Sequence, residues 1–125
     1  EMAKYVCKAT KSAVVVTCGA DGARLYNLFG SPDGSTACVM FRVHAAKLKK
    51  GEAIVDTVGA GDAFVGAFVA SVAGGKSLVE CLKKASTAGT LACTKEGAQG
   101  GTPSADVVEK RSASVVVDEV LTEKW

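Results

Sequence analysis

Residues 56–66 read D-T-V-G-A-G-D-A-F-V-G. They follow the short apolar pair Ile54-Val55 and open an apolar segment that runs on to Ala73. Gly59 and Gly61 carry no Cβ to block the approach of an anion to the backbone N–H groups between them. The helix predicted to follow adds its unpaired amides and the positive end of its dipole. Asp62 falls in the first turn of that helix, where a carboxylate can accept a proton from a hydroxyl as its oxygen attacks phosphorus. Asp56 stands on the strand side, placed to bind a cation or brace the loop. Such a loop can hold a transferring phosphoryl group and take a proton in one place. Each part has a structural use as well, since Gly-Ala-Gly occurs at loop-to-helix joints and Asp caps helices. The whole run, set between an apolar strand and an apolar helix, points to function.

Working outward, residues 13–18 (A-V-V-V-T-C) predict a strand that Gly19 stops. Their apolarity on both faces predicts a parallel strand covered on both sides. Residues 25–29 and 37–41 are further strands, and Gly30-Ser31-Pro32-Asp33-Gly34 between them predicts a hairpin. Residues 45–53 are polar and expected at the surface, with Lys47, Lys49 and Lys50 as a solvated face. The helix after the opening motif is predicted over residues 60–72. It should be buried because it is apolar nearly all round, and Gly74-Gly75 ends it. Ser77-Leu78-Val79-Glu80 is a capping-box pattern for the next helix, in which Leu78, Leu82, Ala85, Ala88, Gly89 and Ala92 recur at helical spacing. Residues 94–101 predict a loop. Thr102 is the expected cap of a last helix with Pro103 in its first turn, running to about Lys110. Residues 115–125 read equally as strand or helix.

At 125 residues the chain can form one small domain with a core. Its 48% hydrophobic and 22% charged content are ordinary for a soluble globular protein. The net charge of +2 calls for neither nucleic acid nor an anionic membrane. Five cysteines without a C-x-x-C pair predict free thiols in a reducing cytosol. No basic-then-apolar leader follows Glu1-Met2. The apolar stretch 63–73 is far shorter than the ~20 residues of a membrane span. The expectation is a cytoplasmic protein. Two motifs fail on inspection. Gly75-Lys76-Ser77 ends like a Walker A loop, but Ala70 stands where that motif needs Gly. Gly59-Ala60-Gly61 begins a dinucleotide fingerprint whose third glycine position holds Phe64. His44 has no nucleophile pattern around it and is expected in a surface loop.

The run D-T-V-G-A-G-D at 56–62 resembles the C-terminal signature of the PfkB carbohydrate kinases, the ribokinase-like family. Val14-Val15-Val16-Thr17-Cys18-Gly19-Ala20-Asp21-Gly22 resembles the family's strand and T-x-G-x-x-G nucleotide loop. Thr94-Lys95-Glu96-Gly97-Ala98-Gln99 with Pro103 resembles the late loop in its ribokinase version. The likeness covers residues 13–110. It implies an α/β fold: the C-terminal, ATP-binding part of a ribokinase-like three-layer sandwich, with parallel strands flanked by helices. It also implies ATP-dependent phosphorylation of a primary hydroxyl of a pentose or related sugar. Asp62-Ala63-Phe64-Val65-Gly66 is also similar to adenosine kinases, which leaves a nucleoside acceptor as the alternative. A non-catalytic nucleotide-binding module is the alternative from another class.

By this resemblance Asp62 is the catalytic base, and the amides of Gly59, Ala60 and Gly61 form the anion hole. Thr17, Cys18, Gly19, Ala20, Asp21 and Gly22 line the nucleotide together with Gly61 and Asp62, and Ser86 lies beside the adenine. Magnesium arrives with ATP. The family's monovalent cation, usually potassium, falls to Asp56, Val58, Ala92, Lys95, Gly97 and Gly101, mostly through backbone carbonyls. Ribokinases often place a serine hydroxyl where Gly101 stands, so potassium binding is expected to be weaker here unless Thr102 substitutes. Family members are about twice this length or more by the usual size of an α/β domain with a lid, and residues 1–125 resemble their C-terminal part only. The sugar-binding glycines and lid strands have no counterpart. The expectation is that a missing N-terminal half or a partner chain completes the domain, and that this chain alone is inactive. A homodimer is left open for the complete protein.

Overall fold

A computed structural model describes residues 2–30, 32–95 and 103–124, with backbone alone at 121–124. The order of elements is α1 (Met2–Thr10), β1 (Val14–Thr17), β2 (Ala23–Gly30), β3 (Thr36–Val43), α2 (Ala60–Ala73), α3 (Leu78–Ala92), α4 (Ala105–Ser112) and β4 (Val117–Lys124). The chain divides into two compact units, one of residues 1–43 with 117–125 and one of residues 44–116.

The first unit is a four-stranded sheet in the order β1-β2-β3-β4, with α1 packed on one face. All three strand pairings are antiparallel, which corrects the expected parallel strands. Residues 18–22 are the whole link between β1 and β2, whereas a parallel pair needs a crossover of about a dozen residues or more. β1 is also an edge strand with Val16 and Thr17 exposed, where burial on both faces was expected. The hairpin joining β2 to β3 forms as predicted. Asp33 Oδ1 accepts the amide of Ser35 at 2.9 Å, and Gly34 takes a φ of 84° that other residues resist. α1 buries Cys7 against Tyr26 and Cys38, and Ala3, Val14, Leu28 and Met40 close around them. Ala23, Leu25 and Val43 are fully buried as well, and each such Leu or Val contributes about 1.5–3 kcal/mol. β4 resolves the ambiguous tail as a strand. Its pairing skips a residue, since Cys38 faces Glu123 while Val39 faces Leu121, which leaves Thr122 as a bulge.

The second unit is built around α3. Its helix starts where the capping box predicts, with Ser77 Oγ accepting the Glu80 amide at 3.2 Å. Leu82, Ala85, Thr87 and Ala88 are buried along it. α2 lies close on α3 at Gly89, where a Cβ would stand 3.3 Å from the Ala60 carbonyl oxygen and 3.6 Å from Phe64 Cβ. α2 ends at Gly74, as expected. Its predicted all-round burial is corrected: only Phe64 and Ser71 are buried, because within this unit α3 covers one side of the helix. The last helix is capped by Ser104, whose Oγ accepts the Val107 amide at 3.4 Å. Pro103 therefore precedes the cap instead of lying in the first turn, and Thr102 lies outside the described residues. Arg111, near the end of α4, forks onto Glu52 at 2.7 and 2.8 Å and also donates to the Lys47 carbonyl at 3.0 Å. None of the five cysteines is in a disulfide. Among the described residues no helix is long and apolar enough to cross a membrane.

Candidate active site

The loop that opens α2 is shaped by its own residues. Asp56 Oδ1 accepts the amide of Val58 at 2.9 Å, an Asx turn that curls the chain before the glycines. Gly59 is the N-cap of α2 with a φ of 82°, a left-handed conformation that glycine adopts without penalty. The Ala60 amide turns back to the Thr57 carbonyl at 3.2 Å, and Ala63 N–H donates to the Gly59 carbonyl at 2.9 Å. The amides of Gly61 and Asp62 have no partner among the described residues. They are the orphan donors of a helix start. The Asp62 carboxylate is exposed in the same turn. Of the predicted anion-hole amides, then, Gly61 is open and Ala60 is engaged within the loop, while the open Asp62 amide was not anticipated in that role.

The strand expected before the loop does not form, and the segment at Ile54-Val55 is held instead by one carbonyl. Cys93 O accepts from Val55 N at 2.7 Å and from Asp56 N at 3.1 Å. This clasp brings Asp56 beside the end of α3, next to Ala92, so two of the predicted cation positions come together through the backbone. Burial, and then the nearby Asp56 charge, pushes the Cys93 thiol up from its ordinary value. A main-chain contact of this kind leaves no side-chain signature, so the role of Cys93 was not readable from its residue type. Lys95 is exposed just past α3. Gly97 and Gly101 lie outside the described residues.

Ser86 is buried in α3 and its hydroxyl donates to the His44 carbonyl at 2.7 Å. Its side chain thus braces residue 44 within the helix unit. Residues 17–22, the predicted nucleotide loop, form the tip of the β1–β2 hairpin in the sheet unit. A short 3-10 turn at Gly19–Asp21 is closed by Cys18 N–H donating to Gly22 O at 2.8 Å. Gly19 and Gly22 both take positive φ there, at 59° and 87°.

A cavity of about 620 Å³ begins at Gly59 and Asp62 and runs beside α2. Its α2 wall is made of small residues, Ala63, Gly66, Ala67, Ala70 and Ser71, and its other wall carries Lys84, Ala88, Val108 and Glu109. Lys84 and Glu109 pair across this second wall. The lysine holds the Glu109 carboxyl below its ordinary value. Nothing in the spacing of these two residues announced the pair, because it joins separate helices.

Residues 1–105 match the profile of the pfkB family carbohydrate kinases. The chain belongs to that family. It is 34% identical over 101 residues to the ribokinase of Schizosaccharomyces pombe, covering 81% of this chain and 28% of that protein. Among solved structures it resembles Arabidopsis thaliana ribokinase complexed with ribose and ATP, at 30% identity and a TM-score of 0.67, over 89% of this chain and 33% of that one. It resembles Escherichia coli phosphofructokinase-2 in complex with potassium at 29% identity and the same TM-score of 0.67, over 89% of this chain and 31% of that one. The chain therefore spans under a third of the yeast relative's length and about a third of each solved chain. The family and the α/β class agree with the resemblance drawn from residues 13–110.

Proposed function

We propose that the chain supplies the phosphate-donor part of an ATP-dependent, ribokinase-like sugar kinase whose acceptor is a primary hydroxyl of a pentose or related sugar. The observation that carries this reading is the first turn of α2, where the open amides of Gly61 and Asp62 stand beside the exposed Asp62 carboxylate. Asp62 takes the proton of the acceptor hydroxyl as that oxygen bonds to the γ-phosphorus and the bond to the ADP oxygen breaks. The amides and the helix dipole stabilise the negative charge on the phosphoryl oxygens. Gly59 and Gly61 leave the backbone open to the phosphate. The hairpin tip at residues 17–22 is assigned to the nucleotide, whereas the buried Ser86 hydroxyl is already engaged by the His44 carbonyl.

Magnesium suits this donor set because it travels with the triphosphate and needs few protein ligands. Potassium is assigned to the carbonyl-rich turn of Asp56, Val58 and Ala92, with Lys95, Gly97 and Gly101. The clasp at Cys93 O supports that assignment by holding Asp56 near the end of α3. Such an ion adds fixed positive charge near the phosphoryl group.

The test is ADP release from ATP·Mg2+ with ribose, adenosine or fructose 6-phosphate as acceptor. The 125-residue chain alone is expected to show no acceptor-dependent release. The protein completed by its acceptor part should show ribose-dependent release that Asp62→Asn lowers ~10²–10⁴-fold. Acceptor-dependent turnover by the chain alone would contradict the donor-part reading, and full activity in the Asp62→Asn variant would contradict the base.

A further inference from the structure

We infer that Cys7 and Cys38 form a redox site, a pair of buried thiols that a small-molecule disulfide such as oxidised glutathione closes into one protein disulfide. The site lies in the sheet unit and does not rest on the catalytic reading above. Cys7 comes from α1 and Cys38 from β3, and both are fully buried. With Tyr26 they form the centre of the cluster that joins α1 to the sheet, and Ala3, Val14, Leu28 and Met40 close around it. The two thiols share a side-chain hydrogen bond, and the Cys7 thiol also donates to the Tyr26 carbonyl oxygen at 3.7 Å. Sulfurs in such contact are within side-chain reach of an S–S bond of about 2 Å. A buried cysteine often serves only as a small apolar side chain. Here two of them meet, although far apart in sequence, at the point where α1 is seated. Cys7 is the one buried residue of that helix.

Within each unit the other pairings are out of reach, since a disulfide spans at most about 7 Å between Cα atoms. Cys7 is seated at Tyr26 and Cys38 stands opposite Leu28, whereas Cys18 lies beyond the Thr17–Ala23 pair. Along β2 those levels are separated by about 10 and about 16 Å. Cys81 and Cys93 lie at the two ends of α3, about 18 Å apart along the helix. The exchange runs in two steps. One cysteine thiolate attacks a sulfur of the small disulfide, forming a mixed disulfide and releasing one small thiolate. The second cysteine thiolate attacks the protein sulfur of that mixed disulfide, forming the Cys7–Cys38 bond and releasing the other small thiolate. The protein pair loses two electrons, the small disulfide gains them, and the two cysteine protons end on the two released thiols. Burial, and then the neighbouring Cys38, pushes the Cys7 thiol up from its ordinary value, and a buried protonated thiol reacts slowly. The exchange therefore waits on α1 lifting from the sheet. The bond then holds α1 down by closing a loop of about 30 residues.

The experiment treats the reduced 125-residue chain with oxidised glutathione in native buffer, alkylates the remaining thiols with N-ethylmaleimide and maps the linkage by peptide mass spectrometry. A Cys7–Cys38 link is expected, with Cys18, Cys81 and Cys93 alkylated. The linked chain should melt about 10 °C above the reduced one, and dithiothreitol should reverse the gain. Cys38→Ala should abolish both the link and the gain, while Cys18→Ser should keep both. The same treatment in denaturing urea should scatter the pairings, which marks the link as a property of the fold. Five alkylated cysteines overturn the inference, as does a link to any other partner or a lasting glutathione adduct at Cys7 or Cys38 in its place. So does a Cys7–Cys38 link no more selective than in urea, or one that leaves the melting temperature unchanged or lowered. The readouts are linkage and stability, so they stand apart from any outcome for kinase activity.

Discussion

Glu52 and Arg111 show how single residues hold the approach to the site. The guanidinium and the Lys49 amide, at 2.6 Å, pull the Glu52 carboxyl down to about 2 from an ordinary 4.5. Because the folded value is depressed, the clamp's contribution to stability is complete above about pH 4.5 and is lost as pH falls from there toward 2. Thermal melts of the chain across this window should fall more steeply than those of Glu52→Gln. A residual slope should survive in the variant, because Lys84 lowers the Glu109 carboxyl in the same direction. Equal slopes for the two proteins would contradict the assignment. High salt should shrink the difference, since both pairs reach solvent. Residues 45–53 were expected at the surface, and Lys47, Lys49 and Lys50 are exposed, but Ala46 is buried and Leu48 and Glu52 are half-buried. The fork that pins this stretch was not visible, because its partner lies 59 positions away on α4.

Among the elements, the α2–α3 pair sets where the donor turn stands. Gly89 lets the two helices close, with the Ala60 carbonyl oxygen 3.3 Å from where a Cβ would stand. Gly89→Val should therefore push α2 outward, destabilising the chain by about 1–3 kcal/mol as overpacking does. Denaturant melts read this directly, and an unchanged midpoint would contradict the packing. Elements announced by local chemistry were legible: Ser77 and Glu80 start α3, Gly74 ends α2, and Asp33-Gly34 turns the hairpin. Elements decided by tertiary partners were not. α1 was not read as a helix because its one fully buried residue is Cys7. β1 was read as parallel because apolarity on both faces carries no record of strand direction. β4 was ambiguous because the bulge at Thr122 breaks the period of two on which a strand is recognised.

For the molecule as a whole, the family and the α/β class followed from three short motifs, at residues 14–22, 56–62 and 94–99. The arrangement of the proposed anion hole was less legible. Which amides stay open depends on the turn from Asp56 through Gly59, and that geometry leaves Gly61 and Asp62 free while Ala60 is engaged. The central claim is that this turn receives the phosphates of ATP. It is tested most directly by titrating ATP·Mg2+ into the isotopically labelled 125-residue chain and following its backbone amides by NMR. Saturable shifts should appear and be largest at the Gly61 and Asp62 N–H groups. Saturable binding that leaves those two amides unmoved would contradict it.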